Sequence, residues 1–313
     1  MLRTALEAFF HSRLGARIVR VRWIVVIAMV LLTTSSKAKA EDSHPTSNPF
    51  AWNPAWSHAD TWDYAFTGVA LADLAVYLPL FQSKQPPLEW TGPILFDTAA
   101  RNLLRGSSAV RSGAATSSWV LLGAVVAYPF VDIPYALKRD GPRVAWDLFW
   151  QDATALSLAT AVDLNLRDLI GRARPPVSEC LMNHGSQSQC LGDDTEATRS
   201  FPGGHQLIVT TAASLTCTQH LEMHLYGGPW DAVACAAAAS SAFGVGVLRI
   251  VADAHWASDI LVGDLLGVGF GWGIPTLMHL HGHAPAIVID GAYLTPMPVA
   301  VRGGGGLGVV GLF

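Results

Sequence analysis

The sequence predicts an all-α protein: a six-helix bundle with its functional site at one end, followed by a short β-like tail. Six apolar segments are long enough to form helices, and the alternating pattern that is typical of strands is scarce within them. Gly and Pro residues mark the joins between segments. Hydrophobic residues make up 51% and charged residues 14% of the chain, against about 25% charged residues in an average soluble protein. The composition therefore indicates a large apolar core or contact with a membrane.

The first 40 residues are typical of a secretory signal peptide. An Arg-rich stretch precedes a short apolar run at 23–32, and Ala38-Lys39-Ala40 fits a cleavage site before Glu41. The alternative is an uncleaved anchor, but the run is too short to span a bilayer comfortably. Residues 41–62 are rich in Ser, Pro, Asn and Trp and are expected to form an extended arm.

A helical domain is expected over residues 63–283. Its six long segments have the approximate limits 63–82, 114–137, 145–166, 205–225, 230–249 and 258–281, and a shorter amphipathic piece covers 94–104. Successive helices run antiparallel in an up-and-down bundle. The end of the third, the start of the fourth, the end of the fifth and the start of the sixth long helix should therefore meet. The tail, 284–313, contains short β-like pieces and a Gly-rich stretch, and is expected to form a hairpin or a packed strap.

The chain has four cysteines. Cys180 and Cys190 flank one polar loop and are expected to form a disulfide in an oxidising compartment. Cys217 and Cys235 lie in apolar helical stretches and are expected to be buried thiols. Because the sequence contains no CxxC pair, a structural zinc site is not expected.

Three polar clusters fall at the predicted meeting point. They are Arg167 with Arg174-Pro175, then Pro202-Gly203-Gly204-His205, then Arg249 with His255 and Asp259. Three guanidinium groups can bind the oxygens of a phosphoryl group. Backbone N–H groups of Gly203 and Gly204 at a helix start would add donors for an anion.

The remaining side chains fit nucleophilic catalysis. His255 can attack phosphorus to give a phosphohistidine, and His205 can protonate the leaving oxygen and later activate water. Asp259 could accept a hydrogen bond from the second ring nitrogen of His255 and fix its tautomer. Neither a metal nor another cofactor is required, because the arginines stabilise the phosphoryl oxygens.

The order and spacing of these clusters resemble the type 2 phosphatidic acid phosphatase and vanadium haloperoxidase superfamily. Its signature runs Lys-x6-Arg-Pro, Pro-Ser-Gly-His and Ser-Arg-x5-His-x3-Asp. The present chain differs at three positions, where Arg167 replaces Lys, and Gly203 and Leu248 each replace Ser. The resemblance implies that Arg167, Arg174 and Arg249 hold phosphate, that His255 is the nucleophile with Asp259 as its orienting partner, and that His205 is the acid.

The resemblance implies a phosphatase acting on a phosphomonoester or diphosphate. The apolar composition favours a phosphorylated lipid as substrate, with a small phosphate ester as the alternative. A vanadate-dependent haloperoxidase would share the pocket. A helical envelope protein with a vestigial phosphate pocket, or an inert bundle with an Arg249–Asp259 salt bridge, would be non-catalytic. Beyond residue 40 the chain is acidic overall, so a nucleic-acid-binding surface is not expected.

The predicted location is exported, membrane-associated or integral, with the site on the periplasmic side. Lys138, Arg139 and Arg143 oppose the simplest spanning topology. Three explanations remain open: the bundle does not span, the first segment does not span, or the N-terminal 40 residues are not translocated. Charged groups outside the signature are assigned structural roles. Arg172 is expected to be a solvated or helix-end charge, and Asp253 and Asp264 are expected to cap helices or form local hydrogen bonds. His279, His281 and His283 are expected to form a solvated helix end.

Overall fold

A computed structural model of the protein describes residues 52–53 and 56–280 and, in the C-terminal tail, 287–289, 292–301 and 304–312. The described residues contain nine α-helices: α1 (Thr61–Leu80), α2 (Asp97–Leu104), α3 (Ser108–Arg139), α4 (Pro142–Ile170), α5 (Pro175–Met182), α6 (Gln187–Leu191), α7 (Gly204–Met223), α8 (Pro229–Val251) and α9 (Ala257–Val268). Two π-helical turns, Gly269–Gly273 and Thr276–Leu280, continue α9. The mostly helical class is confirmed. The count of six is corrected, because the short helices α2, α5 and α6 accompany the six long ones.

The described part of the tail contains three strands, β1 (Ile287–Ile289), β2 (Ala292–Val301) and β3 (Gly304–Leu312). They form an antiparallel sheet in the order β1-β2-β3. The expected signal peptide (1–40), most of the expected arm (41–62), and both His281 and His283 lie outside the described residues.

Local sequence signals fix the start of α1 and the end of α4. The Asp60 side chain accepts the Trp62 N–H at 2.7 Å, and Asp63 accepts the Asp60 N–H at 2.9 Å, so α1 begins in a reciprocal cap. Gly171 ends α4 in the left-handed conformation, at φ 56°, which glycine adopts without steric cost. Arg167 therefore lies in the last turn of α4.

The central helix is α7, which packs against α3, α4, α8 and α9. Glycines let the backbone of α9 approach it closely. A Cβ atom at Gly263 would lie 2.8 Å from the carbonyl oxygen of Gly203, and one at Gly267 would lie 2.7 Å from that of Leu207. Larger residues would separate the two helices, so these glycines bring Asp259, at the start of α9, against the start of α7.

Among the residues that the structure describes, three helical segments are long and apolar enough to cross a membrane, namely Ser108–Arg139, Pro229–Val251 and Ala257–Leu280. Their outer faces expose large apolar side chains, among them Val120, Phe243 and Leu265. Many exposed large apolar side chains on long apolar helices are typical of a membrane or protein contact. These helices therefore fit a membrane protein.

Two disulfides join the four cysteines. Cys180 pairs with Cys190, as expected, and their Cα atoms lie 5.6 Å apart. Cys217 pairs with Cys235 and links α7 to α8, so the prediction of two buried thiols was wrong. Both residues are in apolar helical stretches, but the two helices pack together and bring the sulfur atoms into bonding contact.

Candidate active site

A cavity of about 400 Å³ lies where the ends of three long helices converge. Arg167 at the end of α4, His205 at the start of α7 and Arg249 at the end of α8 all line it. Arg174, just before α5, lines it as well. The helix order predicts this meeting of three helix ends, but Asp259, at the start of α9, does not line the cavity. The apolar wall consists of Trp119 and Leu122 on α3 and Ile208 on α7.

The three arginines leave positive charge available in the cavity. Arg167 contacts Asp163, with Nε 3.2 Å from Oδ2, and Arg167 and Arg174 share one oxygen of Glu196 at 3.4 and 2.9 Å. Arg249 has no ion-pair partner among the residues described here, and its NH1 lies 3.5 Å from Ser118 Oγ. A phosphoryl group would supply the missing anion, because guanidinium donors match its oxygens.

His205 faces this cationic cavity as a neutral imidazole. Its Nε2 atom is buried and has no hydrogen-bond partner among the described residues, and its ring lies 4.1 Å from that of Trp119. Burial, and then the charges of Arg249, Arg167 and Arg174, lower the pKa of His205 to about 3. An anion among the arginines would offset their charges and raise this pKa, so substrate binding itself would favour the protonated form that an acid catalyst needs.

His255 does not line the cavity. It lies in the turn between α8 and α9 and is 2% exposed. Its Nδ1 lies 2.7 Å from the carbonyl oxygen of Ser200. A carbonyl oxygen only accepts, so Nδ1 carries the proton and Nε2 keeps the lone pair that a nucleophile requires. Burial, and then the charges of Arg249 and Arg174, hold the pKa of His255 well below its ordinary value. The ring is therefore neutral at pH 7.

The expected direct hydrogen bond between Asp259 and His255 is absent. Asp259 Oδ2 lies 3.9 Å from His255 Nδ1, which is too long for a hydrogen bond. That oxygen instead accepts the Ser200 hydroxyl at 2.6 Å and the Trp256 N–H at 2.8 Å. The other oxygen accepts from Arg172. Asp259 therefore pairs with Arg172 and not with Arg249, which removes the inert Arg249–Asp259 salt bridge from consideration.

The two glycines at the start of α7 differ in their relation to the cavity. The N–H of Gly203 donates to the Asp259 carbonyl oxygen at 3.0 Å, so it is not free for an anion as the sequence suggested. Gly204 lines the cavity and opens the helix. A Cβ atom there would lie 2.6 Å from Asp163 Oδ2. Gly204 thus allows the first turn of α7, with its unsatisfied N–H groups, to lie close to α4.

Sequence reasoning missed two charged residues of the site. Arg172 was assigned to a solvated helix end, yet it is fully buried and bonded to Asp97 and Asp259. Glu196 was not singled out, and it contacts both Arg167 and Arg174. The sequence signal for Arg172 was its place among three cations in RDLIGRARP, but spacing alone does not show which of them turns away from the cavity.

Three other assignments can be checked. Asp253 forms ion pairs with Arg101, Arg105 and Arg111, which extends the local bonding expected of it. Asp264 accepts from Gln206 and Thr210 at 2.6 Å each, as a locally bonded group should. His279 is not solvated: it is buried, and its Nε2 lies 2.9 Å from Asp63 Oδ1.

The similarity to known proteins falls on the part of the chain that contains the site. Residues 149–282 match the model of the PAP2 superfamily, and this range contains all eight predicted site residues. A lipid A 1-phosphatase of Porphyromonas gingivalis is 40% identical over 82 residues. That alignment covers 25% of the present chain and only 16% of the relative. No solved structure matches significantly. The family match and the site geometry therefore fall on the same part of the chain, residues 149–282, which is similar to the PAP2 superfamily.

Proposed function

We propose that this protein is a phosphatase that hydrolyses a phosphomonoester or diphosphate, with a phosphorylated lipid as its substrate, through a phosphohistidine intermediate. The observation that carries the proposal is the cavity that three arginines and His205 line. His255, whose tautomer is fixed by Ser200, is the nucleophile in this proposal. The lipid A 1-phosphatase relative and the three apolar helices support a lipid substrate.

The proposed reaction begins with phosphate oxygens bound by Arg167, Arg174 and Arg249. His255 Nε2 attacks phosphorus, a P–N bond forms, and the bond from phosphorus to the leaving oxygen breaks. His205 gives that oxygen its proton. The neutral His205 then takes a proton from water, the hydroxide attacks the phosphohistidine, and inorganic phosphate leaves with His255 restored. The arginines stabilise the charge on the equatorial oxygens.

The proposed location is the cell envelope, with the active site on the side of the oxidising compartment. The Cys180–Cys190 disulfide supports this, because it lies in the α5–α6 segment directly after Arg174, at the active-site end of the bundle. Structural disulfides persist in exported proteins and are rare in the cytosol. Removal of residues 1–40 on export belongs to the same proposal, and mass spectrometry of the mature N-terminus tests it: an intact Met1 on exported protein would contradict cleavage.

Hydrolysis by purified protein in detergent, with EDTA present, tests the function. We expect release of phosphate from lipid monophosphates or diphosphates, and inhibition by vanadate, which mimics the five-coordinate phosphoryl group. Activity that EDTA abolishes and Mg²⁺ restores would contradict the arginine-based mechanism. Phosphate binding without hydrolysis of any substrate would favour a non-catalytic protein. Bromide oxidation by the vanadate-loaded protein with hydrogen peroxide would favour a haloperoxidase.

A further inference from the structure

A second charged cluster is linked to His255 and does not line the cavity. Its centre is Arg172, which is fully buried and does not line the cavity. One guanidinium nitrogen donates to Asp259 and to Ser258 Oγ, and the other lies 2.7 Å from Asp97 Oδ2. The guanidinium carbon also lies 4.0 Å from the centre of the Trp90 ring. A buried arginine with these partners has one well-defined position.

The cluster reaches His255 through Ser200. The Ser200 hydroxyl donates to Asp259 Oδ2 at 2.6 Å, and the Ser200 N–H donates to the Arg172 carbonyl oxygen at 3.0 Å. Its own carbonyl oxygen accepts the Nδ1 proton of His255 at 2.7 Å. Ser200 is therefore fixed by both Arg172 and Asp259, and the direction of its carbonyl group sets the orientation of the imidazole ring.

The charges of this cluster also suit the reaction. Two carboxylates, Asp97 and Asp259, share one guanidinium, so one negative charge remains if both are ionised. Asp259 Oδ2 is 3.9 Å from His255 Nδ1. When His255 attacks phosphorus its ring becomes cationic, and a buried negative charge at that distance stabilises the cation. Asp97 begins α2, outside the range matched by the family model, so a part of the chain beyond the matched domain contributes to this arrangement.

We infer that Arg172, Asp97 and Ser200 are positioning residues for the nucleophile, holding His255 in its Nδ1–H tautomer and its Nε2 atom towards the phosphate. The inference rests on the proposed function, because it assigns His255 the attack on phosphorus. Removing a residue that orients a functional histidine through hydrogen bonds typically lowers activity about 10–100-fold. This range comes from residues that are hydrogen-bonded to metal-ligating histidines.

Ser200→Ala is the informative variant, because it removes the link to Asp259 and keeps the backbone carbonyl group. Thr198→Val is the matched control. Thr198 is buried on the same segment, and its hydroxyl donates to the Pro86 carbonyl oxygen at 2.9 Å, with no connection to His255. Each variant therefore loses one buried hydroxyl hydrogen bond. Arg172→Lys is a second probe, which keeps the charge and loses the planar fork that joins the two carboxylates.

The rate of phosphoenzyme formation is measured by rapid quench with an aryl phosphate, and affinity for inorganic phosphate by calorimetry. We expect Ser200→Ala to slow phosphorylation by about 10–100-fold, with phosphate affinity changed less than about twofold. Thr198→Val should change neither quantity. Arg172→Lys should also slow phosphorylation more than it weakens phosphate binding. An unchanged phosphorylation rate in Ser200→Ala, or equal losses in both hydroxyl variants, would overturn the inference.

Nitrogen NMR of the histidine rings gives a readout that does not need turnover. Wild-type His255 should show the Nδ1–H tautomer, and Ser200→Ala should show a mixture of tautomers. If the wild-type protein hydrolyses no phosphate ester, the proposed function fails. If it hydrolyses them while Ser200→Ala keeps both the wild-type rate and the wild-type tautomer, the positioning role alone fails.

Discussion

Replacing Arg249 with methionine should stabilise the protein in the absence of an anion while removing its response to phosphate. Arg249 is 4% exposed, and no acid pairs with it among the described residues. Its Nε atom is buried without a partner there. Methionine has a similar length, suits a helix and carries no charge that must be desolvated.

The size of the effect follows from the burial. An ion moved out of water without a counter-charge costs several kcal/mol even after relaxation, and the neighbouring Arg167 and Arg174 add repulsion. Allowing for the lost contact with Ser118, we expect Arg249→Met to gain about 1–3 kcal/mol without ligand. The wild-type protein should gain about 2.7 kcal/mol when phosphate is present at 100 times its Kd. The variant should gain almost nothing from phosphate.

Thermal unfolding in detergent measures both effects, with and without inorganic phosphate. At about 2–4 °C per kcal/mol for a domain of this size, both shifts are measurable. Arg111→Met is the matched control: Arg111 is about one-third exposed and contacts Asp253 at 3.4 Å, so its loss should not stabilise the protein, and the phosphate response should persist. An Arg249→Met protein that is less stable than wild type and still responds to phosphate would refute the reasoning.

Further predictions concern His205 and Gly203. Because the pKa of His205 is lowered to about 3 in the folded protein, the unfolded chain takes up a proton at His205 at a higher pH than the folded protein does. The free energy of unfolding should therefore fall as the pH drops from about 6.5 towards 3. The variant His205→Ala should show a smaller fall over this pH range. The same variant should lose about 10²–10⁴-fold in kcat with alkyl phosphates and much less with aryl phosphates, whose leaving oxygens need little protonation; equal losses would contradict the acid role. A Cβ atom at Gly203 would lie 3.1 Å from the Asp259 carbonyl oxygen, so Gly203→Ser and Gly203→Ala should both lower the unfolding temperature. If the serine hydroxyl contacts phosphate, the kcat/KM of the Ser variant should be roughly 2–10-fold higher than that of the Ala variant.

Helix order was enough to predict the position of the site. Each long segment was visible from its apolar length, and antiparallel succession alone placed Arg167, His205 and Arg249 at one end, where the structure has them. The short helices α5 and α6 were not predicted. The five residues of α6 are too few to show a helical period, and α5, although as long as α2, is less clearly amphipathic. Backbone pairing was equally invisible, and the bond from the Gly203 N–H to Asp259 depends on how closely α9 approaches α7.

Partner choice among charged residues was the part that sequence did not determine. Arg172 and Arg174 are two residues apart, yet one is buried against Asp97 and Asp259 while the other lines the cavity. The difference arises from loops that are distant in sequence, since Asp97 is contributed by α2. The Cys217–Cys235 disulfide has the same origin: apolar surroundings indicated burial, but only the packing of α7 against α8 shows that the two residues meet.

The most direct test of the mechanism is to trap the covalent intermediate. Purified wild-type protein would be mixed with a ³²P-labelled aryl phosphate, quenched within milliseconds under alkaline conditions that preserve phosphohistidine, and digested for peptide mapping. The account predicts label on the peptide that contains His255, no label in His255→Ala, and label that persists longer in His205→Ala, because the base that activates water is missing. Label retained at the wild-type level in His255→Ala would contradict the central claim, since another residue would then be the nucleophile.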